Sequence, residues 1–411
     1  MIHPTSSSGD EFVVVGGSLA GLRAVEAARR AGHTGPVTLI WAEPHLPYDR
    51  PPLSKEFLAP GAVERYFAGR AHLRDDLGVD LLLGEPARAL DGSGRVVLVG
   101  DRAVPFRSLV IATGSAPRTL PEYEGRPGVI TLRTLDDARR LRERLHAGAR
   151  VLIVGAGFIG SEVASAARRF GNPVTIVEAA PVPLIRVAGA ELGRALAARH
   201  ERNGTELRRG VQVSGIHGDG RVERVDLSDG STVEADLVVV GIGSSPSTGW
   251  LDGSGVARHD LDGGVLCDAY LQTSVPGVYA AGDVAHWPNP LMDVPLMRLE
   301  NWTAAGEMGS AAARNALAGA ADRTPFQTVP YVWSDWYGSR IQFVGRPAPD
   351  EVRVVVGDLE GPRFVALYRS GDRVAGALAV NEPGKIMKYR RLIKARSSWD
   401  AALGLFATPA A

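Results

Sequence analysis

The residues best placed to do chemistry sit in two glycine-rich turns. The clearer one, Gly155-Ala156-Gly157-Phe158-Ile159-Gly160, follows the apolar run Val151–Val154 and leads into a helical stretch over 161–170. A GxGxxG turn alone is a weak signal. A strand before it, a helix after it and an acid closing the next strand make it a dinucleotide site. Residues 174–177 read as that next strand, and Glu178 closes it, 23 residues on from Gly155. In such a turn Gly155 permits the tight bend, Gly157 lets backbone approach a pyrophosphate, and Gly160 lets the helix pack on the strand. The helix N-terminus offers free N–H groups to the anion. A carboxylate at Glu178 suits a ribose 2′-hydroxyl and repels a 2′-phosphate, so the cofactor read here is NADH, with NADPH disfavoured.

The same grammar appears about 140 residues earlier, on the scale of one such module. A short apolar strand over 12–15 runs into Gly16-Gly17-Ser18-Leu19-Ala20-Gly21, then a helical stretch to Ala31 and a strand over 37–40 that ends near Glu43. Ser18 stands where the middle glycine is expected; its hydroxymethyl either crowds a pyrophosphate or donates a hydrogen bond to it. Taken alone, this turn leaves a dinucleotide site and an ordinary glycine turn both open. Two such modules in one chain say more than either, because they suggest two cofactors facing each other, a nicotinamide and a flavin, with the protein aligning them for hydride transfer. Gly282-Asp283, after the strand-like run 278–281, then fits a partner for a flavin ribityl chain; by itself a Gly-Asp pair is a common turn.

Cys267 is the only cysteine among 411 residues. One thiol excludes an internal disulfide, a CxxC redox pair and any cysteine-built zinc or iron–sulfur site. Electrons arriving on a flavin must therefore leave it directly, which suits a one-electron iron–sulfur acceptor. Cys267 itself reads as a small buried apolar group.

These residues need elements to position them. The chain carries 46 basic and 46 acidic side chains, 45% apolar residues and 22% charged ones. That is a globular composition with room for two or three domains, and without the basic excess of a nucleic-acid binder. Residues 1–10 are polar with no apolar signal core, and no run approaches the ~18 apolar residues of a membrane helix. The expectation is a cytoplasmic protein that binds neither membrane nor nucleic acid, a monomer or weak dimer. The fold class is α/β: two Rossmann-like dinucleotide-binding domains plus a C-terminal α+β domain. Residues 1–115 and 246–325 are expected to form one of these dinucleotide-binding domains, discontinuous in sequence, 116–245 the other, and 326–411 the C-terminal domain. In that last part aromatics cluster at Tyr331, Trp333, Trp336 and Tyr337. Alternating runs at 341–344, 352–356, 364–368 and 374–380 read as antiparallel strands, and a basic helix spans 384–396. Its Lys385, Lys388, Arg390, Arg391, Lys394 and Arg396, uninterrupted by any acid, read equally as a solvated face and as a dock for an acidic partner.

Taken in order, these residues resemble the FAD-dependent pyridine nucleotide-disulfide oxidoreductases, and within them the ferredoxin reductases of bacterial oxygenase systems. The resemblance runs over about 11–396. Its most specific stretch is Pro47-Tyr48-Asp49-Arg50-Pro51-Pro52-Leu53-Ser54-Lys55. Ala112-Thr113-Gly114, Leu132-Arg133-Thr134-Leu135, Gly157-Phe158-Ile159-Gly160-Ser161-Glu162, Ala281-Gly282-Asp283 and Trp333-Ser334-Asp335 carry the rest. It implies FAD on the first module, held by Gly16, Ser18, Leu19, Ala20, Gly21 and Glu43, with Arg50, Ala87, Thr113, Gly114 and Arg133 completing the site. Asp283, with Gly282, would hold the ribityl chain, Trp302 would lie against the isoalloxazine, and Lys55 would reach the flavin ring with Glu162 as its counterion. Around NADH it implies Gly155, Gly157, Phe158, Ile159, Gly160, Glu178, Arg186 and Gly243. Lys55 and Glu162 are the expected catalytic pair; no metal is expected. A lysine beside a flavin stabilises negative charge developing there, and a buried lysine needs a counterion. The activity implied is transfer of electrons from NADH through FAD to a ferredoxin serving a haem-thiolate monooxygenase or a ring-hydroxylating dioxygenase. Two other readings share the fold: an NADH-binding redox sensor of the apoptosis-inducing-factor type, and a reductase of a small quinone-like acceptor.

Overall fold

The computed structural model describes residues 9–348 and 350–406. The chain divides into two compact units, each assembled from three separate stretches. One comprises the chain up to Asp49 with Glu64–Ala116 and Ser245–Pro330; the other comprises Arg50–Val63, Pro117–Ser244 and Tyr331–Ala411.

The first unit is built on a parallel sheet in the order Val278–Ala280, Ser108–Ile111, Phe12–Val15, Val37–Trp41, Val79–Leu83. Phe12–Val15 and Ser108–Ile111 are buried throughout, which is why they read as unbroken apolar runs rather than alternating ones. Strand order reverses between these two, and in an open α/β sheet ligands bind at such a reversal, beyond the carboxyl ends of the strands. The glycine turn and Asp283 both lie at that end. Helix Leu19–Arg30 packs against helix Trp302–Leu317 so closely that a Cβ on Gly309 would sit 2.0 Å from the Ala20 carbonyl oxygen. The unit also holds an antiparallel sheet of Ala87–Asp91, Val96–Val99 and Arg102–Pro105 and a smaller sheet of Val265–Leu266, Ala285–Asn289 and Val294–Arg298.

The second unit repeats the plan, with a parallel sheet in the order Glu206–Arg209, Val174–Glu178, Val151–Val154, Leu237–Val240, Val129–Thr131. Helix Phe158–Arg169 follows the glycine turn directly, three residues earlier than the sequence reading, because the turn already sets the chain in helical register. Three helices are absent from the sequence expectations, the shortest of them Trp399–Gly404. Leu135–His146 buries only a thin stripe, Leu135, Ala138, Leu141 and Leu145, among many charges. Ile185–Arg202 is kinked at Gly189, where the backbone reaches φ 75°.

Tyr331–Trp336 opens a five-stranded antiparallel sheet with Ser339–Gly345, Arg373–Val380, Phe364–Ser370 and Glu351–Gly357. The last four are the strands expected from alternation; the aromatic-rich first one adds a fifth, where the sequence shows only an aromatic cluster. This sheet shares its core with Ile185–Arg202. Ala188, Leu192 and Leu196 pack with Trp336, Phe343 and Tyr368, and the Tyr368 hydroxyl donates to the Ala188 carbonyl at 2.9 Å. Among the described residues no helix is long and apolar enough to cross a membrane.

Candidate functional site

In the first unit, Gly16 has φ +116°, and a Cβ there would lie 2.1 Å from the Ala112 carbonyl oxygen. Gly21 lies against the Gly16 carbonyl, 1.8 Å from where a Cβ would be. Both positions admit only glycine. Ser18 occupies the N-cap of Leu19–Arg30 with an ordinary φ of −83°, so a side chain is tolerated there, and its hydroxyl does not cap the helix. Glu43 accepts a 2.5 Å hydrogen bond from the Tyr48 hydroxyl, and the Tyr48 ring stacks on Trp41 at 5.6 Å. Thr113 donates to the Ser247 carbonyl at 2.8 Å, the Gly114 carbonyl accepts from Ser247 N–H at 3.0 Å, and Ser115 donates to the Asp283 carboxylate at 3.2 Å. These bonds gather 113–115 and Gly282-Asp283 at one end of the sheet. Trp302, at the start of its helix and 36% exposed, donates from Nε1 to Asp49 at 2.8 Å. Ala87 begins the neighbouring antiparallel sheet.

The second unit carries the other turn. Gly155 has φ +99°, with the Gly241 carbonyl oxygen 2.5 Å from where a Cβ would be; at Gly160 that distance, to the Gly155 carbonyl, is 2.1 Å. Gly157 differs. Its φ of −74° suits any residue, and a Cβ would find no protein atom nearer than 3.9 Å. Nothing inside the fold requires glycine there, so the vacant volume is suited to something from outside. Helices Phe158–Arg169 and Leu19–Arg30 both lack a side-chain cap, whereas Leu135–His146 and Trp302–Leu317 are capped by Thr134 and Asn301. Ile185–Arg202 and Pro383–Lys394 lack a cap too; what sets the first two apart is the glycine turn leading into each, where N–H groups are kept for an anion. The Glu178 carboxylate accepts from Ala156 N–H at 2.7 Å and Ala180 N–H at 2.8 Å, one per oxygen, and each oxygen keeps a second lone pair. Ile159 is 44% exposed, Phe158 and Arg186 lie in first helical turns, and Gly243 ends the loop after Leu237–Val240.

Lys55 belongs to this second unit, as do Arg50 and Arg133, whose backbone carbonyl accepts from the Arg50 guanidinium at 2.5 Å. The Lys55 ammonium lies 2.8 Å from Glu162, with side chains only 13% and 2% exposed, so the lysine is no ordinary surface cation. Glu162 also accepts from Ser54 and Ser334. Burial pushes the Glu162 carboxyl up, and Lys55, Ser334 and Ser54 pull against that shift. Of the three ammonium hydrogens one goes to Glu162 and one to the Pro51 carbonyl at 3.2 Å, leaving one for a bound molecule.

The comparisons with known proteins bear on what such a pair of cradles holds. Residues 10–309 match the family described as pyridine nucleotide-disulphide oxidoreductase, and 331–405 match a reductase C-terminal family. The chain belongs to the pyridine nucleotide-disulphide oxidoreductases. Within them it falls in the ferredoxin reductase group. It is 38% identical over 397 residues to the ferredoxin–NAD(+) reductase component of the p-cumate 2,3-dioxygenase system of Pseudomonas putida, covering 95% of this chain and 94% of that one. Human apoptosis-inducing factor 3 is 34% identical over 94% of this chain but only 63% of its own length. Among solved structures, the covalent putidaredoxin reductase–putidaredoxin complex superposes with a TM-score of 0.91 at 30% identity, over 98% of this chain and 97% of that one. Membership brings FAD and a nicotinamide dinucleotide as the two cofactors of this oxidoreductase. The helix N-termini behind the two glycine turns and the open volume at Gly157 fit such ligands.

Two groupings in this oxidoreductase escaped sequence reasoning. Ser54 and Ser334 complete the surroundings of Glu162 from opposite ends of the chain, and only Trp333-Ser334-Asp335 as a motif hinted at the second. Asp262 accepts from His286 at 2.9 Å, His259 at 3.2 Å, Gly264 N–H at 3.1 Å and Arg298 at 2.8 Å. Two histidines and a carboxylate close together could hold a metal ion. Here, however, the imidazoles stack face to face at 4.4 Å, and Arg298 already neutralises the carboxylate. The cluster is a hydrogen-bonded hub, and Arg298 extends it by donating to the Asp283 carbonyl at 3.0 Å. Cys267 is partly buried against the first unit's core, and burial pushes its thiol up.

Proposed function

We propose that this protein is an NADH-dependent ferredoxin reductase that carries electrons from NADH, through FAD, to the iron–sulfur ferredoxin of an oxygenase system. The observation that carries the reading is two glycine cradles in a chain with a single cysteine. The fold is equipped for two dinucleotides and has no dithiol to receive electrons. Bound FAD supplies the conversion of a two-electron hydride donor into one-electron steps. The relatives named above as reductase components, and the putidaredoxin complex, support the choice of acceptor.

On this reading the first unit's turn holds the FAD pyrophosphate at the N-terminus of Leu19–Arg30. Glu43, fixed by Tyr48, takes the adenosine ribose, and Asp283 takes the ribityl chain. Gly155, Gly157 and Gly160 hold the NADH pyrophosphate, and Glu178 accepts the ribose 2′-hydroxyl while excluding a 2′-phosphate. Lys55 spends its remaining N–H on the flavin ring and stabilises negative charge there, held cationic by Glu162. Arg50 and Arg133, Ala87 and Trp302 keep the cofactor roles implied by their motifs, as do Thr113, Gly114, Gly282, Phe158, Ile159, Arg186 and Gly243. The partner docks on the basic helix Pro383–Lys394. Lys388, Arg391, Lys394 and Arg396 are exposed there, whereas Lys385 is tied to Glu382 at 2.6 Å and Arg390 lies over the Tyr331 ring. The protein works in the cytoplasm.

The test is NADH-driven reduction of cytochrome c with and without an added two-iron ferredoxin, with ferricyanide as control acceptor. Strong ferredoxin dependence is expected. Fast ferricyanide reduction without it would move the acceptor to a small molecule, and slow reduction of every acceptor would overturn the reductase reading in favour of a sensor.

A further inference from the structure

The Trp333-Ser334-Asp335 stretch has no part in the mechanism above, yet its serine ends in a buried polar cluster of the second unit. Glu162, Ser54, Ser334 and Trp336 are all buried, with Ser334 and Trp336 wholly so. Ser334 can meet Glu162 in only one sense. Its oxygen accepts from the Trp336 indole N–H at 2.7 Å. A hydroxyl whose acceptor side is engaged in this way has its proton left to donate, and the carboxylate oxygen 2.5 Å away receives it. Strand alternation explains the arrangement. Residues two apart share a face, so Ser334 and Trp336 point into the core together, while Asp335 between them pairs with Arg340 at 2.9 Å.

We propose that Ser334, aimed by Trp336 and assisted by Ser54, is a positioning residue that keeps Glu162 a carboxylate and thereby keeps Lys55 an ammonium. The alternative state of a buried pair is neutral: an N–H bond at Lys55 Nζ breaks, an O–H bond at Glu162 forms, both groups lose their charge, and the pair's total charge stays zero. Desolvation favours that neutral state. The charged state survives because the carboxylate receives three donors, one from Lys55 and one from each serine. Other titratable groups around the cluster do not compete. His200 lies over the Trp336 ring at 5.1 Å and bonds Ser161 and Tyr337. Burial lowers it to about 4, so it stays neutral across the working range, and the Tyr337 phenol is pushed up to about 12.

The inference deepens the assignment of Lys55 to the flavin and rests on it for its consequence, but it can be read without it. The chain has only four lysines, Lys55, Lys385, Lys388 and Lys394. The experiment is ε-15N-lysine labelling of the holoenzyme and detection of slowly exchanging ammonium groups by NMR from pH 6 to 10, with Lys55→Arg to assign the signal. In Ser334→Ala the midpoint of the Lys55 ammonium should fall by about one pH unit, the worth of one hydrogen bond to a charged group. Ser334→Thr should restore it, and Trp336→Phe, which keeps the hydroxyl but frees its rotation, should give a smaller fall. Should Ser334→Ala fail to fold, Ser54→Ala should show the same downward shift. A wild-type titration in these variants, or no ammonium signal assignable to Lys55, would overturn the inference. Reduction of the bound flavin by NADH is followed in parallel. A shifted Lys55 with an unchanged reduction rate upholds the positioning role and refutes the flavin assignment instead.

Discussion

Replacing Gly157 with alanine separates a glycine kept for a ligand from one kept for the fold. At Gly157 the backbone is ordinary and the nearest protein atom to a new Cβ is 3.9 Å away. The fold should lose no more than the N-cap difference between glycine and alanine, under about 1 kcal/mol. Gly160→Ala drives a methyl to 2.1 Å from the Gly155 carbonyl, backbone against backbone, and should cost about 1–3 kcal/mol through overpacking. Binding should rank the two differently. A methyl at Gly157 pushes the pyrophosphate off the N–H groups of the helix N-terminus. Losing one charge-assisted hydrogen bond of about 1.5–3 kcal/mol weakens NADH by roughly 10- to 100-fold. The assay is NADH affinity by titration of the flavin-containing protein, beside its thermal midpoint. Gly157→Ala should bind poorly and melt almost normally. An alanine variant that binds NADH as the wild type does would refute the pyrophosphate assignment, and one that melts as early as Gly160→Ala would refute the claim that the position is open.

Three further outcomes follow from the same geometry. Glu178→Gln removes the charge that repels a 2′-phosphate and should shift the NADH:NADPH ratio of kcat/KM towards NADPH by about 10-fold, measured with ferricyanide. Lys388→Glu with Arg391→Glu should raise KM for the ferredoxin at low salt and leave ferricyanide reduction unchanged; an unchanged KM sinks the docking face. His200 is held neutral by burial, at about 4 in the fold against 6.5 in the free side chain. A lowered histidine adds stability that is complete above the unfolded value, so about 3 kcal/mol should drain away as pH falls from 6.5 towards 4. His200→Gln should flatten that slope in thermal melts, and an equal slope in both proteins would show the histidine to be accessible.

Much of the site was legible because its signals are local. Each glycine turn, its flanking strand and its closing acid lie within one short stretch, and positive φ leaves glycine little competition at Gly16 and Gly155. The Lys55–Glu162 pair came through family resemblance, since nothing in spacing joins residues so far apart. Ser54 and Ser334 stand inside two of the motifs that carry the resemblance, but their meeting at Glu162 is hidden for the same reason, and a buried serine carries no compositional mark. Strand Tyr331–Trp336 was missed because aromatic residues on both faces hide the alternation. The grouping of Arg50–Val63 with the second unit was hidden as well. There Leu58 enters the hydrophobic core with Leu141 and Leu145, and Arg142 donates to the Ala62 carbonyl at 2.9 Å.

The splicing of two units out of six alternating stretches governs how the molecule can be made. The first unit's sheet ends in Val278–Ala280, so a nascent chain cannot complete it until residues well past the second glycine turn have left the ribosome. The second unit waits longer still, for the strands after Tyr331. Both therefore close late, through contacts of long sequence separation, which is the topology that slows folding. Neither unit corresponds to a contiguous gene fragment, and a cut anywhere between Val15 and Val278 parts strands of the first unit's parallel sheet and leaves unpaired edges. Cofactor capture is then a late event in the life of the chain, and a supply of flavin at that moment would select the closed fold over the aggregates that open edges invite.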